Sequence, residues 1–309
     1  MARVLANTKD MTIEEWRKLR KKSIGGSDSA TVVGLNNFSS RFKLYADKKS
    51  LIPDKEDTEA MRIGRDFEGY VACRFTEATG KKVKKDNHMY LHDDYDFISA
   101  NIDRRIVGEN AGLECKTTSF YKKSDFENGK IPLYYYCQCM HYMAVMGFEK
   151  MYLAILVMGK AFYWFEIERN EEEIENLIAS EVEFWKDHIE SGVMPVADGS
   201  EATGEVLKIL YPEAFENKES VFLGSNLDIL FKTQAEIKEL QKTEKKYKNL
   251  VIADLKDCED GYSNSYLVTY KNTARTDIDK EKLKTKYPEI YKECLKKIEY
   301  RKMSIKEDK

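Results

Sequence analysis

The sequence predicts a mixed α/β fold, in which a central sheet is flanked by helices. Three observations support this fold class. Residues 12–80 carry helix-start signals and apolar residues at helical spacing. Five short runs between residues 88 and 168 are rich in β-branched and aromatic residues and are broken by Gly, Asn and Asp, which is typical of strands. The apolar segment 132–148 lies between the third and fourth runs and is long enough for a helix that crosses the sheet.

Capping signals in the N-terminal segment predict short helices. Thr12 is followed three residues later by Glu15, the pattern of a capping box, which predicts a helix that begins at Thr12. A glycine turn precedes Ser27 and Asp28, which are N-cap candidates for a second short helix. The first backbone N–H groups of such a helix are free to meet an anion. For Asp28, a capping role and a functional role fit the sequence equally well.

The chain divides into a core and an appendage. Further helices are predicted at 40–50, 58–80, 170–192 and 226–257, followed by a hairpin at 261–272 and a lysine-rich helix near the C-terminus. The pattern becomes more charged past residue 200, and no repeat or low-complexity linker separates the two parts. We therefore predict a core of residues 1–200 and a C-terminal appendage of residues 201–309, part helix and part hairpin, that packs on the core.

Composition limits the function classes. The formal net charge of the 309 residues is only −3, so nucleic-acid binding would depend on local basic patches. Such patches occur at 17–22, at 81–85 and after residue 280, although a solvated helix face is the simpler explanation for each patch alone. No long apolar window and no secretion signal pattern occur. We therefore expect neither membrane insertion nor secretion, and a cytoplasmic location.

Cysteine and histidine placement argues against a zinc site. The six cysteines are scattered without a C-x-x-C pair, which favours reduced, mostly structural thiols. Cys137 and Cys139 are the one close pair, and their spacing in a predicted helix puts them on different faces. The four histidines show no spacing typical of metal ligands.

The most informative stretch is residues 101–117, NIDRRIVGENAGLECKT. Side chains alternate between faces along a strand, so Glu114 and Lys116 share one face. We expect FISANID and GLECKT to be neighbouring antiparallel strands joined by the segment RRIVGENA. Asp103, at the end of the first strand, then lies beside Glu114.

Two carboxylates and one ammonium group would thus converge. Buried like charges are costly unless a cation neutralises them, and hard oxygen ligands hold Mg²⁺ with much of its water retained. The backbone carbonyl of Cys115 can add a ligand. Lys116 can hold and help to deprotonate a water molecule that attacks phosphorus, while the metal ion stabilises the charge on the phosphate. The alternative is a surface ion pair between Glu114 and Lys116, because this pattern alone often occurs by chance.

Four motifs between residues 16 and 143 resemble those of one nuclease family. The pattern D(x10)E-C-K resembles the PD-(D/E)xK nuclease core, with Asn-Ile-Asp in place of Pro-Asp. The segments WRKLRKKSIGGSDSATVVGLN, RIGRDFEGYVA and YYYCQCMHYM resemble, in family order, further motifs of the YqaJ-type viral recombinase nucleases, which include the lambda-type phage exonucleases. The resemblance implies a PD-(D/E)xK, restriction-endonuclease-like core with a mixed central sheet.

The resemblance also implies roles for the central residues. Asp103 and Glu114, with the Cys115 carbonyl, would be the principal metal ligands, and Lys116 would position the nucleophilic water. Two residues from neighbouring helices would complete the catalytic set. Glu68 would support the metal site directly or through water, and Gln138 would orient Lys116 or the water.

Arg20 and Ser27 match positions that in lambda-type enzymes contact the 5′ phosphate of the degraded strand. Independently of the resemblance, arginine can grip a phosphate with two donors, and a helix that begins near Ser27 presents free N–H groups to an anion. A solvated basic cluster is the alternative for Arg20, because it belongs to the patch at 17–22.

The implied activity is that of a Mg²⁺-dependent exodeoxyribonuclease, with Mn²⁺ able to substitute. It would degrade one strand of linear double-stranded DNA from the 5′ end and leave 3′ overhangs for recombination. Lambda-type members form a ring-shaped trimer and work with a single-strand annealing protein, so the same homo-oligomer, partner and location in the cytoplasm of a host bacterial cell are expected.

Three alternatives compete with this interpretation. An endonuclease with the same core would use the same catalytic residues, since these do not encode dependence on a DNA end. A catalytically silent DNA-binding or adaptor module is disfavoured by the complete set of Asp103, Glu114 and Lys116. An iron–sulfur nuclease would need four clustered cysteines, which the sequence lacks.

Overall fold

The structure is a computed structural model and describes residues 2–214, 220–298 and 300–305. The chain forms two compact units, Met1–Tyr211 and Pro212–Lys309. The first unit extends past the boundary predicted at residue 200, because the helix Glu201–Leu210 packs on the helix Arg41–Lys48. Buried Val206 makes this contact.

The first unit contains both sheets that surround the candidate site. Its helices are α1 (Ile13–Arg20), α2 (Gly26–Val32), α3 (Arg41–Lys48), α4 (Glu59–Thr79), α5 (Leu133–Met146), α6 (Glu171–Phe184) and α7 (Glu201–Leu210). Its strands are β1 (Arg3–Asn7), β2 (Ile24–Gly25), β3 (Val83–Lys85), β4 (His88–Leu91), β5 (Ile98–Ala100), β6 (Arg104–Ile106), β7 (Ala111–Thr118), β8 (Lys150–Val157) and β9 (Ala161–Glu168). A 3₁₀ segment, Phe120–Gly129, precedes α5, and a π-helical turn, Trp185–Glu190, continues α6.

One sheet has the strand order β1-β4-β5-β2 and the other the order β3-β6-β7-β8-β9. Strands β7 and β8 run parallel, whereas β9 returns antiparallel to β8. Parallel neighbours need a crossover connection, which α5 provides. The helix predicted between the third and fourth strand-like runs is thereby confirmed.

The five-stranded sheet is covered by a helix on each face. Successive side chains of β8 alternate between the faces. Leu153 and Ile155 pack with Met143 of α5 in one apolar cluster, whereas Tyr152 packs with Phe75 of α4 in another. Strand β7, beside β8, therefore lies between two helices that both carry candidate site residues.

The hairpin predicted around Asp103 is wrong in one respect. The run FISANID is not one strand paired with GLECKT, because β5 belongs to the four-stranded sheet. The strand that pairs with β7 is β6, inside the segment taken for a turn. The chain leaves the first sheet at Asn101, whose side-chain Nδ2 donates to the His88 carbonyl at 3.0 Å. The turn proper is shorter and includes Gly108, whose φ of +87° favours glycine.

The helix ends follow the sequence signals at most places. The capping box of Thr12 and Glu15 is confirmed, and α4 ends at Gly80 in the left-handed conformation, as predicted. Ser27 and Asp28 are not N-caps, however. The N-cap of α2 is Gly25, and the carboxylate of Asp28 accepts a hydrogen bond from the Gly25 N–H at 3.1 Å.

The second unit has its own elements. These are α8 (Ser225–Leu255), β10 (Asp260–Tyr262), β11 (Leu267–Thr269), α9 (Lys280–Lys286) and α10 (Pro288–Glu293). The predicted long charged helix and hairpin are thereby confirmed. Within the described ranges, no helix is long and apolar enough to span a membrane.

Candidate active site

The site begins at the hairpin of β6 and β7. Arg104 lies opposite Leu113 in this antiparallel pair, which places the preceding Asp103 beside Glu114. The Cys115 backbone N–H donates to Asp103 Oδ2 at 2.8 Å. This hydrogen bond holds the Asp103 carboxylate against β7. The convergence of Asp103 and Glu114, predicted from sequence, is present although the strand assignment that led to it was wrong.

Glu114 is the most heavily engaged side chain of the cluster. It is 4% exposed, and its Oε1 accepts from Lys116 Nζ at 2.6 Å and from Gln138 Nε2 at 2.8 Å. Its other oxygen, Oε2, is buried and has no hydrogen-bond partner among the described residues. A buried carboxylate oxygen without a donor is costly. That atom is therefore the clearest position for a ligand that the protein itself does not provide.

The electrostatics of the cluster are dominated by its carboxylates. Burial, followed by repulsion from Glu114 and then Glu68, raises the pKa of Asp103 well above its ordinary value. Burial alone would lower the pKa of Lys116, but the carboxylates of Glu114 and Asp103 outweigh it, so this pKa is raised. Lys116 is thus protonated and pairs with Glu114, whereas Asp103 has no ion-pair partner among the described residues.

Glu68 reaches the cluster from α4. Arg104 Nη1 contacts Glu68 Oε1 and also donates to the Asp103 carbonyl at 2.7 Å. Lys85 Nζ lies 3.9 Å from the same Glu68 oxygen. In this structure Glu68 is held as the partner of Arg104, next to the other carboxylates.

These residues suit a hard cation with retained water. No group of three or more His, Cys, Asp and Glu side chains arranged to hold a metal ion occurs in the part of the chain that the structure describes. The available donors are instead the carboxylates of Asp103 and Glu114 with the Cys115 carbonyl. Mg²⁺ is commonly bound by one or two carboxylates and several waters, so this smaller set fits it. The unpartnered Glu114 Oε2 is the observation that supports the fit.

Tyr142 extends the cluster toward α2. Gln138 Nε2 donates both to Glu114 and, at 2.9 Å, to the Tyr142 hydroxyl, one helical turn further along α5. The Tyr142 ring lies against Gly26, where an added Cβ would come within 2.5 Å of a ring carbon. Helical spacing four residues after Gln138 is the one sequence signal that points to Tyr142.

Arg20 and Ser27 also meet, as the sequence suggested. Arg20 Nη2 contacts Ser27 Oγ and lies 3.5 Å from Asp28 Oδ1, and its guanidinium lies 4.7 Å from the centre of the Trp16 ring. Buried Lys48 donates to Asp28 Oδ2 at 2.7 Å. Burial would raise the pKa of Asp28, but Lys48 and then Arg20 outweigh it and lower the pKa to about 2. Two cations therefore surround one carboxylate.

A buried histidine was not expected from the sequence. His141 of α5 lies between Glu181 Oε1 and the Ser99 carbonyl, each at 2.8 Å from a ring nitrogen. When Glu181 is ionised both contacts are acceptors, and both ring nitrogens then donate. Burial alone would lower the pKa of His141, but Glu181 outweighs it and raises the pKa. This pair joins α5 and α6 to β5, and no spacing in the sequence connects its members.

Comparison with known proteins identifies the family. The YqaJ-like viral recombinase domain matches residues 15–149. The YqaJ protein of Bacillus subtilis (strain 168) is 39% identical over 314 residues, which cover 99% of this chain and 98% of that protein.

Solved structures of one exonuclease are similar to this chain. The alkaline exonuclease LHK-Exo from Laribacter hongkongensis aligns with a TM-score of 0.49 at 18% identity, and its complex with dAMP with a TM-score of 0.50 at 19% identity. Each alignment covers 58% of this chain and 93% of that chain. The PD-(D/E)xK-like core implied by the sequence motifs is confirmed. The 39% identity to YqaJ over nearly the full length of both proteins shows that the chain belongs to the YqaJ-like viral recombinase family.

Proposed function

We propose that this protein is a Mg²⁺-dependent deoxyribonuclease of phage-type recombination. It degrades one strand of linear duplex DNA from the 5′ end and leaves a 3′ overhang, and Mn²⁺ can substitute for Mg²⁺. The observation that carries this proposal is Glu114, which contacts Lys116 and Gln138 beside Asp103 while its second oxygen stays unpartnered. The family, whose name is that of viral recombinases, and the alkaline exonucleases among the structural neighbours support a nuclease.

The metal ion would be held by Asp103, Glu114 and the Cys115 carbonyl. Bound there, it would act as a Lewis acid toward a phosphate oxygen. The Cys115 N–H keeps the Asp103 carboxylate in place, and Gln138 does the same for Glu114. Glu68, held by Arg104, would act through water or as an added ligand after leaving that arginine.

Lys116 would orient the attacking water. Because its pKa is raised, it donates protons rather than accepts them in the arrangement that the structure shows. Its ammonium can hold a water molecule by that water's lone pair and stabilise negative charge that develops on the phosphate. We therefore assign Lys116 to positioning and charge stabilisation, and a general-base role would require its pKa to fall on ligand binding.

The 5′ end would bind beside α2. Arg20 shares Asp28 with Lys48, so its own positive charge is not fully balanced by this carboxylate. Its guanidinium, fixed over Trp16, and the Ser27 hydroxyl provide donors for a terminal phosphate. The proximity of Gly26 to Tyr142 would connect this pocket to Glu114.

Assembly and partners follow from the family resemblance. A trimeric ring around DNA would keep a protein of net charge −3 on its substrate, and a single-strand annealing protein would take up the 3′ overhang. Light scattering on the purified full chain tests the assembly. A stable monomer at micromolar concentration would contradict the ring.

One experiment tests the proposed activity. Linear duplex DNA labelled at the 5′ or the 3′ end is incubated with Mg²⁺ or with chelator, and closed circular duplex serves as a second substrate. We expect early loss of the 5′ label, with Mg²⁺ only, and no cutting of the circle. Cleavage of the circle would favour the endonuclease alternative, and no metal-dependent cleavage of either DNA would favour a catalytically silent DNA-binding module.

A further inference from the structure

A row of aromatic side chains leads from the candidate site to the surface. Lys116 Nζ lies 5.3 Å from the centre of the Tyr135 ring. The Tyr135 ring centre lies 4.3 Å from that of Tyr134, which in turn meets Phe38 edge-on at 5.9 Å. We call Phe38, Tyr134 and Tyr135 the aromatic row. It joins the loop after α2 to the first turn of α5.

The outer end of the aromatic row is open to solvent. Phe38 is 64% exposed, although a side chain of this kind is normally buried. It lines a groove of about 670 Å³ together with Tyr134 and exposed Leu133. The inner end packs on the core, because the Tyr135 ring lies nearly parallel to that of buried Phe126, with the ring centres 6.5 Å apart. The row is therefore supported from within by Phe126 and ends outside on the largely exposed ring of Phe38.

The charges around the groove suit a polyanion. Lys122 and Lys130 both line it, and Lys122 Nζ lies 5.9 Å from the centre of the Phe38 ring. Asp125 also lines the groove and lies 3.6 Å from Lys122, so it offsets one of the two lysines. Lys116 lies at the inner end of the aromatic row and Lys122 at its outer end, so a cation flanks each end.

Aromatic rings flanked by cations are a combination that binds unpaired nucleic acid. Bases stack on aromatic side chains, and lysines bind the phosphates between them. Base pairs inside a duplex cannot use such a surface, because both of their faces are already stacked. The inner end reaches Lys116, where the phosphate to be cut would lie.

We propose that the aromatic row binds the bases of an unpaired stretch of DNA strand next to the scissile phosphate. This inference rests on the proposed nuclease function for the position of that phosphate. It adds a substrate requirement: the strand must be single-stranded where it passes Phe38, Tyr134 and Tyr135.

Binding to two matched oligonucleotides tests the aromatic row. A labelled oligothymidylate and an abasic strand of equal length carry the same phosphates, but only the first has bases to stack. Fluorescence anisotropy is measured in chelator on the full-length Glu114→Gln protein, which prevents cleavage. We expect tighter binding of oligothymidylate, and Phe38→Ala should weaken that binding about tenfold while leaving the abasic strand unaffected.

Further variants separate stacking from charge and from folding. Phe38→Trp should retain the preference for bases, and its added fluorescence should be quenched by oligothymidylate but not by the abasic strand. Lys122→Ala should weaken binding of both strands alike. Val107→Ala, a change at another exposed apolar side chain, should change neither.

Two outcomes overturn the inference: equal binding of both strands by the Glu114→Gln protein, or an unchanged preference in Phe38→Ala. If Phe38→Ala does not fold, absence of base-dependent quenching in Phe38→Trp overturns it as well. The proposed nuclease function is judged separately, by metal-dependent cleavage of linear duplex. A protein that cleaves but shows no base preference retains the nuclease proposal and loses the aromatic row as a base-binding surface. A protein that prefers the strand with bases but does not cleave retains that surface and loses the nuclease proposal.

Discussion

Two polar clusters of the first unit carry opposite charge imbalances. Around Glu114, the carboxylates of Asp103, Glu114 and Glu68 influence one another. Lys116 pairs with Glu114 and Arg104 with Glu68, which leaves Asp103 without an ion-pair partner among the described residues. Beside α2 the proportion is reversed, because two cations surround a single carboxylate. Asp28 is there paired with Lys48 and Arg20.

The difference indicates which ligand each cluster lacks. An excess of carboxylate is relieved by a cation, and an excess of guanidinium and ammonium is relieved by an anion. A phosphodiester backbone with a bound metal ion provides both. Tyr142 lies between the two clusters, since its ring packs on Gly26 and its hydroxyl accepts from Gln138.

Removal of charge at the negative cluster should have the largest effect. Glu114→Gln and Asp103→Asn each remove a candidate metal ligand without removing a basic DNA contact. We expect each to slow cleavage of end-labelled duplex by a factor on the order of 10² or more, with DNA binding retained. Binding of Mn²⁺, followed by calorimetry, should weaken in parallel. Near wild-type cleavage by either variant would remove that residue from the metal site.

Loss of the Asp28 carboxylate should have the next largest effect, on stability. The pKa of Asp28 is lowered to about 2 from an ordinary value of 3.8, so the ionised form stabilises the fold. This stabilisation is present above pH 4 and is lost as the pH falls toward 2. A shift of this size corresponds to about 2 kcal/mol at pH 7. Asp28→Asn should cost at least that amount, because it also leaves buried Lys48 without its carboxylate partner.

Urea unfolding at pH 7 and at about pH 3 measures this contribution. The difference between Asp28→Asn and wild type should shrink at the lower pH. Asp66→Asn is the control, since Asp66 is an exposed partner of Arg62 at 3.9 Å and its loss should change the free energy of unfolding by less than ~0.5 kcal/mol. An equal loss for Asp28→Asn at both pH values would show that ionisation is not the cause.

The contact between the clusters predicts a smaller, catalytic effect. A methyl group at Gly26 would push the Tyr142 ring, and with it Gln138, away from Glu114. Overpacking of this kind lowers the free energy of unfolding by about 1–3 kcal/mol. The displacement of Gln138 in Gly26→Ala should in addition lower kcat about tenfold, with a smaller change in KM, because a small misplacement of positioning groups slows the reaction. Tyr142→Phe, which keeps the ring but removes the hydroxyl, should lower kcat in the same direction.

Gly204→Ala is the matched control for Gly26→Ala. Gly204 lies in α7, and an added Cβ there would meet nothing within 4 Å. This change should leave kcat as it is and raise the free energy of unfolding by up to ~1 kcal/mol, since alanine favours a helix over glycine. If both alanine variants cleave at the wild-type rate, the contact between Gly26 and Tyr142 does not affect Glu114.

The apolar pattern of the sequence was sufficient to predict the elements that are long and regularly buried. Strand β8 and helix α5 were predicted because their apolar patterns are continuous. Strands β1, β2 and β3 were missed, because they are short and β1 and β3 are mostly exposed, so they show no alternation of apolar and polar residues.

The candidate site likewise contains contacts that the sequence predicts and contacts that it does not. Asp103, Glu114 and Lys116 lie in one hairpin, so local spacing was enough to bring them together. The contact of Tyr142 with Gly26, and the pair of His141 and Glu181, depend on how helices pack. Such tertiary contacts leave no local spacing in the sequence.

The smallest expected effect concerns the positive cluster, where Arg20 is partly exposed and solvent screens its charge. A terminal 5′ phosphate carries more negative charge than an internal phosphodiester, so a cluster with excess cation should bind it better. Arg20→Ala leaves Lys48 with Asp28 intact but removes the group that faces Ser27. We expect wild type to degrade 5′-phosphorylated duplex roughly fivefold faster than 5′-hydroxyl duplex, a difference of about 1 kcal/mol. Arg20→Ala should lose this ratio while Arg3→Ala, at a surface arginine paired with Asp96, keeps it. A wild-type ratio near one, or a ratio unchanged in Arg20→Ala, would mean that the anion suited to this cluster is not the 5′ phosphate.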